Sequence, residues 1–417
     1  MSTGRYSRRT RVVGASTAAV VVLGAAGVLA LNANSASAEL TPLSADELLV
    51  AMHDAKPSPL SGTVALEADL GLPDVRGLGS GDGPTALLAG KHSVRVWQGE
   101  KAQSRVDLLG DASETRVSLD GTDLWTWSSS TKEARHYILP KHRGGGAKRG
   151  ATSGSGHSEM RKHRGTDAPA TPQEAADQVL AAIGDTTAVT TQNAKVAGRD
   201  AYTLVLTPKT SGTLVSRVEL AVDGATKLPL RVQVFSTKMS NPAYSVGFTK
   251  VDFSAPDASV FAFTPPAGAQ VTTTDLAAQM REKRAEARVG SEADRAKTRE
   301  EARKKHEAAK ADKAAAKNVV GQGWARVYLA DAPKGKDGKP AGNAADALLA
   351  QLNGDDAQSN DSTRTLTRLL EALPKRTANG VSGTVFEGTL FSIVLADDGR
   401  VALGAVPADT AFSALAK

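Results

Sequence analysis

Residues 213–236 read TLVSRVELAVDGATKLPLRVQVFS, and the fold turns on this stretch. Val218, Leu220 and Val222 alternate with Arg217, Glu219 and Ala221, and after Asp223-Gly224 the alternation resumes as Leu230, Val232 and Val234 around Arg231 and Gln233. Period-two alternation gives a strand one apolar and one polar face. Asp-Gly favours positive φ and predicts a tight turn. Leu228-Pro229 stands at the start of the second strand, where a proline costs no ladder hydrogen bond. A third run puts Tyr244, Val246 and Phe248 on one face, then Val251 and Phe253, and ends on Val260-Phe261-Ala262-Phe263-Thr264-Pro265-Pro266-Ala267-Gly268. The expectation is a wide antiparallel sheet, wet on one side, with an apolar face that needs a cover.

The sheet extends in both directions from there. Ser44-Ala45-Asp46-Glu47 is a capping box opening a helix whose apolar face is Leu48, Leu49 and Met52, with Val50 as a further candidate, ending before Pro57. Residues 61–70 alternate with Val64, Leu66, Ala68 and Leu70 on one face. After a Gly-rich loop at 71–83, strands at 93–98, 102–109, 114–120, 123–128 and 133–139 follow at meander spacing, not βαβ spacing. Trp125 and Trp127 share a strand face, and two readings stand for them: core filling, or the lining of a ligand cavity. Thr171-Pro172-Gln173-Glu174 is a second capping box, opening a helix to Ile183 whose single apolar stripe suits a lid over the sheet. Strands at 189–196 and 202–207 then lead back to the hairpin.

Together the Asp-turn, the Leu-Pro step, the charged alternating strand and the Phe-x-Phe-x-Pro-Pro-x-Gly ending resemble the outer-membrane lipoprotein carrier family, the LolA-like fold, over residues 43–271. The resemblance implies an unclosed half β-barrel covered by a helical lid, with acyl chains or other apolar ligands held between sheet and lid. Related sigma-factor regulators of the RseB/MucB type add a smaller second domain that contacts a membrane-bound anti-sigma partner. No motif here carries that contact over. The family's lipid-gripping arginine is not assignable, with Arg95 and Arg105 as the two candidates.

Composition bounds the rest. The chain has 417 residues, a net charge of +6, 41% hydrophobic residues and no cysteine. Disulfides, thiolate metal sites, cysteine nucleophiles and a lipobox are therefore excluded. The basic surplus is not interleaved with aromatics on one face, so no nucleic-acid partner is expected. Arg5, Arg8, Arg9 and Arg11, an uncharged run over 12–31 and Ala36-Ser37-Ala38 together read as an export signal over residues 1–38. Either it is cleaved after Ala38, or its run of ~20 residues stays as a membrane anchor. Both place the body outside the cytoplasm.

Residues 141–168 are Gly- and Lys/Arg-rich with almost no apolar side chains, and read as a disordered basic insertion within a half-barrel domain at 39–274. His136, His142, His157 and His163 lie in or near it at a spacing that matches no metal motif. Residues 275–318 read as a charged, solvated helical linker. Residues 319–412 read as a small α+β domain: a strand at 324–329, helices at 343–352 and 363–373, strands at 383–394 and 400–406, and a turn at Asp397-Asp398-Gly399. Both linkers are dense in Lys and Arg, so trypsin should release this domain as a separate fragment.

No nucleophile elbow, zinc helix, phosphate loop or calcium loop is present. No enzyme and no cofactor are expected. The fold expected is α+β: an antiparallel unclosed half β-barrel with helical lid, a charged helical spacer and a small α+β C-terminal domain. The function expected is an exported carrier of a hydrophobic ligand, a lipid or the acyl chains of a lipoprotein. Its lining would be Leu66, Val94, Val96, Val106, Trp125, Trp127, Leu204, Leu220, Val232 and Val234. The alternative is an extracytoplasmic regulator of the sigma/anti-sigma type, sensing lipid or envelope stress through the same fold, with residues 319–412 meeting a membrane protein partner.

Overall fold

The protein is described from a computed structural model that covers residues 40–72 except 57, residue 87, residues 89–141 except 101, 111 and 112, residues 171–289 except 183–185, and residues 319–331 and 369–417. The export signal, the basic insertion from 142, most of the linker and the helix expected at 343–352 lie outside these residues. Among the described residues no helix is long and apolar enough to cross a membrane.

Two antiparallel meanders build the large sheet. The first is β1 (Leu60–Ala68), β2 (Gly90–Gln98), β3 (Gln103–Leu109), β4 (Glu114–Asp120), β5 (Asp123–Ser128) and β6 (Glu133–Ile138). The second is β7 (Thr187–Val196), β8 (Arg199–Pro208), β9 (Val215–Asp223), β10 (Pro229–Ser236) and β11 (Pro242–Asp252). They join where β1 pairs antiparallel with β11, bringing Leu66 opposite Val246. A last strand, β12 (Gln270–Asp275), pairs parallel with β6, giving twelve strands in the order β12-β6-β5-β4-β3-β2-β1-β11-β10-β9-β8-β7. The order is linear, with β12 and β7 as its two ends, so the sheet is large and open. β12 ends where the linker was expected to begin, in a stretch where no strand was expected. Its Thr-rich run carries no apolar alternation, and the Pro266–Gly268 stretch hides its beginning.

The register aligns the apolar sides of neighbouring strands. Leu204, Leu220, Val232, Val246 and Leu66 form one row across β8, β9, β10, β11 and β1. Val96, Val106 and Val117 continue the face across β2, β3 and β4. α1 (Ala45–Asp54) begins at Ser44, whose hydroxyl accepts from the Glu47 amide while Glu47 accepts from the Ser44 amide. α2 (Pro172–Ala182) begins at Thr171, whose hydroxyl accepts from the Glu174 amide at 3.2 Å. α1 lies beside β7 and α2 lies over β10 and β11, and their Leu48, Ala175 and Ala176 are buried in one core with the apolar rows.

Four local expectations are corrected. Gly224 is not in the positive-φ region; in the 223–228 turn that conformation falls on Lys227 (φ 61°). Gly224 is needed for close approach instead, since a Cβ there would lie 2.6 Å from Leu40 and 3.0 Å from the Asp200 carbonyl. Val260–Phe263 is not a strand: after a short 3-10 turn at Ala258–Val260 the chain crosses the second face of the first meander. That face is accordingly not wet over β3–β5, because Phe261 is 1% exposed and packed there beneath Arg105 and Ser118. Finally, the run expected as one strand at 383–394 folds back on itself at Gly388-Thr389.

The second domain is a six-stranded sheet in the order β13-β14-β18-β17-β16-β15. Its strands are β13 (Val319–Val320), β14 (Val327–Asp331), β15 (Lys375–Ala378), β16 (Val381–Glu387), β17 (Ser392–Ala396) and β18 (Arg400–Gly404). The strand expected at 324–329 begins as a 3-10 turn and becomes extended at Val327. Gly399 takes φ 90° in the expected Asp-Asp-Gly turn. Of the helix expected at 363–373, residues 369–372 are helical among those described. α3 (Leu276–Val289) starts the linker, and α4 (Ala408–Leu415), where no helix was expected and within which the expected domain ended, buries Phe412 and Leu415 against the second sheet.

Candidate functional site

The candidate site is the apolar face beneath α1 and α2. Alternation and register bring eight of the ten expected lining residues onto it: Leu66, Val94, Val96, Val106, Leu204, Leu220, Val232 and Val234. All but Val106 are buried, and Val106 is half-buried at the border of the same core. Tyr244 and Tyr202 stand on this face as well. Burial raises the pKa of the Tyr244 hydroxyl well above that of an ordinary phenol. The Tyr202 hydroxyl donates to the Thr41 carbonyl at 2.7 Å, and Thr191 donates to the Leu43 carbonyl at 3.1 Å. These bonds tie residues 40–43 across one end of the layer.

Trp125 and Trp127 do not join the other eight. Ser118 pairs with Trp125 and Arg116 with Trp127, whereas Val106 pairs with Val117, one residue out of step. The two tryptophans therefore stand on the second face, within 5.4 and 6.4 Å of Phe263. Trp125 also stacks on His136 at 4.2 Å, and His136 bonds Asp123 at 2.8 Å. Shared parity within one strand was legible, but which face that strand turned to the helices depended on register across β3 and β4.

Arg105 and Arg95 also stand on the second face, by the same register. Arg105 meets Asp107, which is 3% exposed and accepts from Arg105 and Arg116 together, with Arg105 Nη2 at 2.6 Å and Arg116 Nε at 3.0 Å. A second donor of Arg105 reaches the Val260 carbonyl at 3.1 Å, and the Ser118 hydroxyl reaches the Phe261 carbonyl at 2.6 Å. A buried carboxylate held by two guanidiniums is costly to break, so this cluster fixes the 253–269 crossing in place. It leaves Arg105 no access to the apolar layer.

Towards the β12 edge the apolar face of the sheet changes character. Glu133, Arg135 and Tyr137 of β6 and Gln270, Thr272 and Thr274 of β12 line a polar cleft of about 330 Å³. Arg135 follows Val106, Val117 and Thr126 along one row, so the cleft borders the apolar face. The Glu133 carboxylate and the Tyr137 hydroxyl raise the Arg135 pKa. Among the described residues no group of histidines and carboxylates could hold a metal ion.

Sequence reasoning missed three residues of the layer, Phe386, Leu390 and Phe391, which enter the same core from the second domain. The signal was present as Gly388-Thr389 inside an apolar run, a turn pair masked by its apolar flanks.

No family model and no curated protein matches the sequence. Among solved structures, the crystal structure of MucB is 17% identical with a TM-score of 0.31, over 54% of this chain and 64% of that one. An uncharacterized conserved protein from Thermus thermophilus is 13% identical with a TM-score of 0.29, over 55% of this chain and 99% of that one. A LolA superfamily protein from Nitrosomonas europaea is 13% identical with a TM-score of 0.20, over 53% of this chain and 99% of that one. The chain thus spans less than two thirds of MucB. Likenesses at these TM-scores carry no argument, and the fold rests on the strand order and register above.

Proposed function

We propose that the protein is an extracytoplasmic binding protein that holds an apolar ligand, a lipid or a lipoprotein's acyl chains, between its open sheet and the covering helices. One observation carries the reading: a single apolar face runs from β8 to β3 beneath α1 and α2. An acyl chain laid on this face removes its own surface from water at ~25 cal/mol per Å². The half-exposed Val106 and the polar cleft beyond it offer an amphiphile an apolar bed with a polar border. The export signal expected over residues 1–38 supports the location.

The test is native mass spectrometry of the purified protein, with organic extraction of what it carries and titration with a fluorescent C18 fatty acid. Bound lipid, and about tenfold weaker binding by Val106→Asp at unchanged melting temperature, are expected. A protein that carries no lipid and binds no acyl probe overturns the reading.

The regulator alternative is favoured by one observation: the second domain shares a core with the large sheet, an arrangement a simple carrier does not require. It expects a membrane protein partner to be captured by the full chain and lost when residues 319–417 are removed, with acyl binding kept.

A further inference from the structure

The apolar layer is completed by the second domain. Phe386, Leu390 and Phe391, around the β16–β17 turn, are buried in one continuous core with Leu66, Leu204 and Val232, Leu390 to 1% exposure. The turn is fastened to the strand ends of the large sheet. The Thr389 amide donates to the Leu70 carbonyl at 2.9 Å and its hydroxyl to the Asp69 carbonyl at 2.5 Å. Ser236 donates to the Thr389 carbonyl at 2.5 Å, and Lys238 meets Glu387 at 2.8 Å. Nearby, the Leu214 amide donates to the Ala405 carbonyl at 2.7 Å. Gly388 lies so close that a Cβ would collide with the Leu70 carbonyl oxygen, a backbone atom that cannot swing aside.

The two ends of the layer are thus closed differently. Residues 40–43 close one end through the Tyr202 and Thr191 bonds, as part of the same domain. The hairpin closes the other, and it belongs to a second sheet joined through the linker that begins with α3. The hairpin can leave with every strand of the large sheet still paired.

We infer that the β16–β17 hairpin is a removable stopper, which fills the end of the apolar layer in the unliganded protein and is displaced when an acyl chain enters, undocking the second domain. The inference rests on the binding reading above. An acyl chain and the Leu390-Phe391 pair would bury the same apolar surface, so the layer holds one or the other. A ligand that binds only the undocked form shifts the equilibrium towards it, and docking weakens the ligand by the same factor.

The experiment uses the full chain, cis-parinaric acid as probe, and amide hydrogen exchange at Leu214 and Thr389, whose donors cross between the domains. In the wild type the probe should speed exchange at both amides and leave the β9–β10 ladder protected. Gly388→Ala should speed the same two amides without probe and bind the probe about tenfold more tightly or better, since the competent fraction rises. If that variant leaves both amides protected, Thr389→Pro, which removes the amide donor, replaces it, and undocking is then read at the Leu214 amide alone. Equal probe affinity in wild type and an undocked variant, or probe binding with no change at the two amides, overturns the stopper and leaves the binding reading standing. No probe binding even by a variant whose exchange shows the hairpin freed overturns both.

Discussion

Asp223 ends the strand on which the fold reading turned, and it is 1% exposed. Burial pushes its pKa up, and the Arg199 guanidinium with the Thr226 amide and hydroxyl outweighs that, so the carboxyl is held below its ordinary value. The Arg199 contact is 2.5 Å and the Thr226 amide contact 2.8 Å. The folded carboxyl therefore keeps its charge at a lower pH than the unfolded one. Its contribution is fully present above about pH 4 and is lost as pH falls through the lowered folded value. Asp223→Asn should cost about 3 kcal/mol at neutral pH, with the gap to wild type narrowing below pH 4. Urea melts at pH 7 and pH 3 measure this, and a gap that does not narrow would exclude Asp223 from the acid dependence. Gly224 beside it shows how a correct turn can rest on the wrong cause: the dipeptide was legible as a turn, but Leu40, packed against it, was not.

Among the elements, strands with polar–apolar alternation were legible almost to the residue, because one face of each is buried and parity fixes the side. β4 and β5 fall on the strands expected at 114–120 and 123–128. What alternation cannot give is which face a distant segment covers. The 253–269 crossing buries Phe261 on the tryptophan side, and no local pattern distinguishes that from a last strand of the sheet. The candidate site was legible for the same reason and with the same limit: eight valines and leucines were placed, and two tryptophans were put on the wrong side. Phe261→Ala should cost about 3–5 kcal/mol and loosen the crossing, while acyl-probe affinity stays within about twofold because the ring lies across the sheet from the layer. Thermal melts and probe titration of one sample check both parts, and weakened probe binding in a folded variant would contradict the assignment of faces.

For the whole molecule, the expectation of two bodies parted by a cleavable linker meets a shared core. Trypsin has Lys and Arg in residues 141–168 and 275–318, and cutting at both sites is expected. The fragments should then co-elute in size exclusion, because hairpin burial and the bonds at Leu214, Thr389 and Trp324 hold them together. Separation without denaturant would show that docking is weaker than the chain connection. The sequence could not reveal this, since domain boundaries are read from composition while docking depends on the three buried side chains around one turn.

The ladder between β1 and β11 has a consequence for how the protein is made. β1 gains its second neighbour only when Pro242–Asp252 has been synthesised, so on a ribosome its edge waits on the order of ten seconds or more. During that interval the first meander presents an open strand carrying Val64 and Leu66, the kind of template that pairs with any other extended chain. Chains stalled between the two halves are therefore the ones that should aggregate.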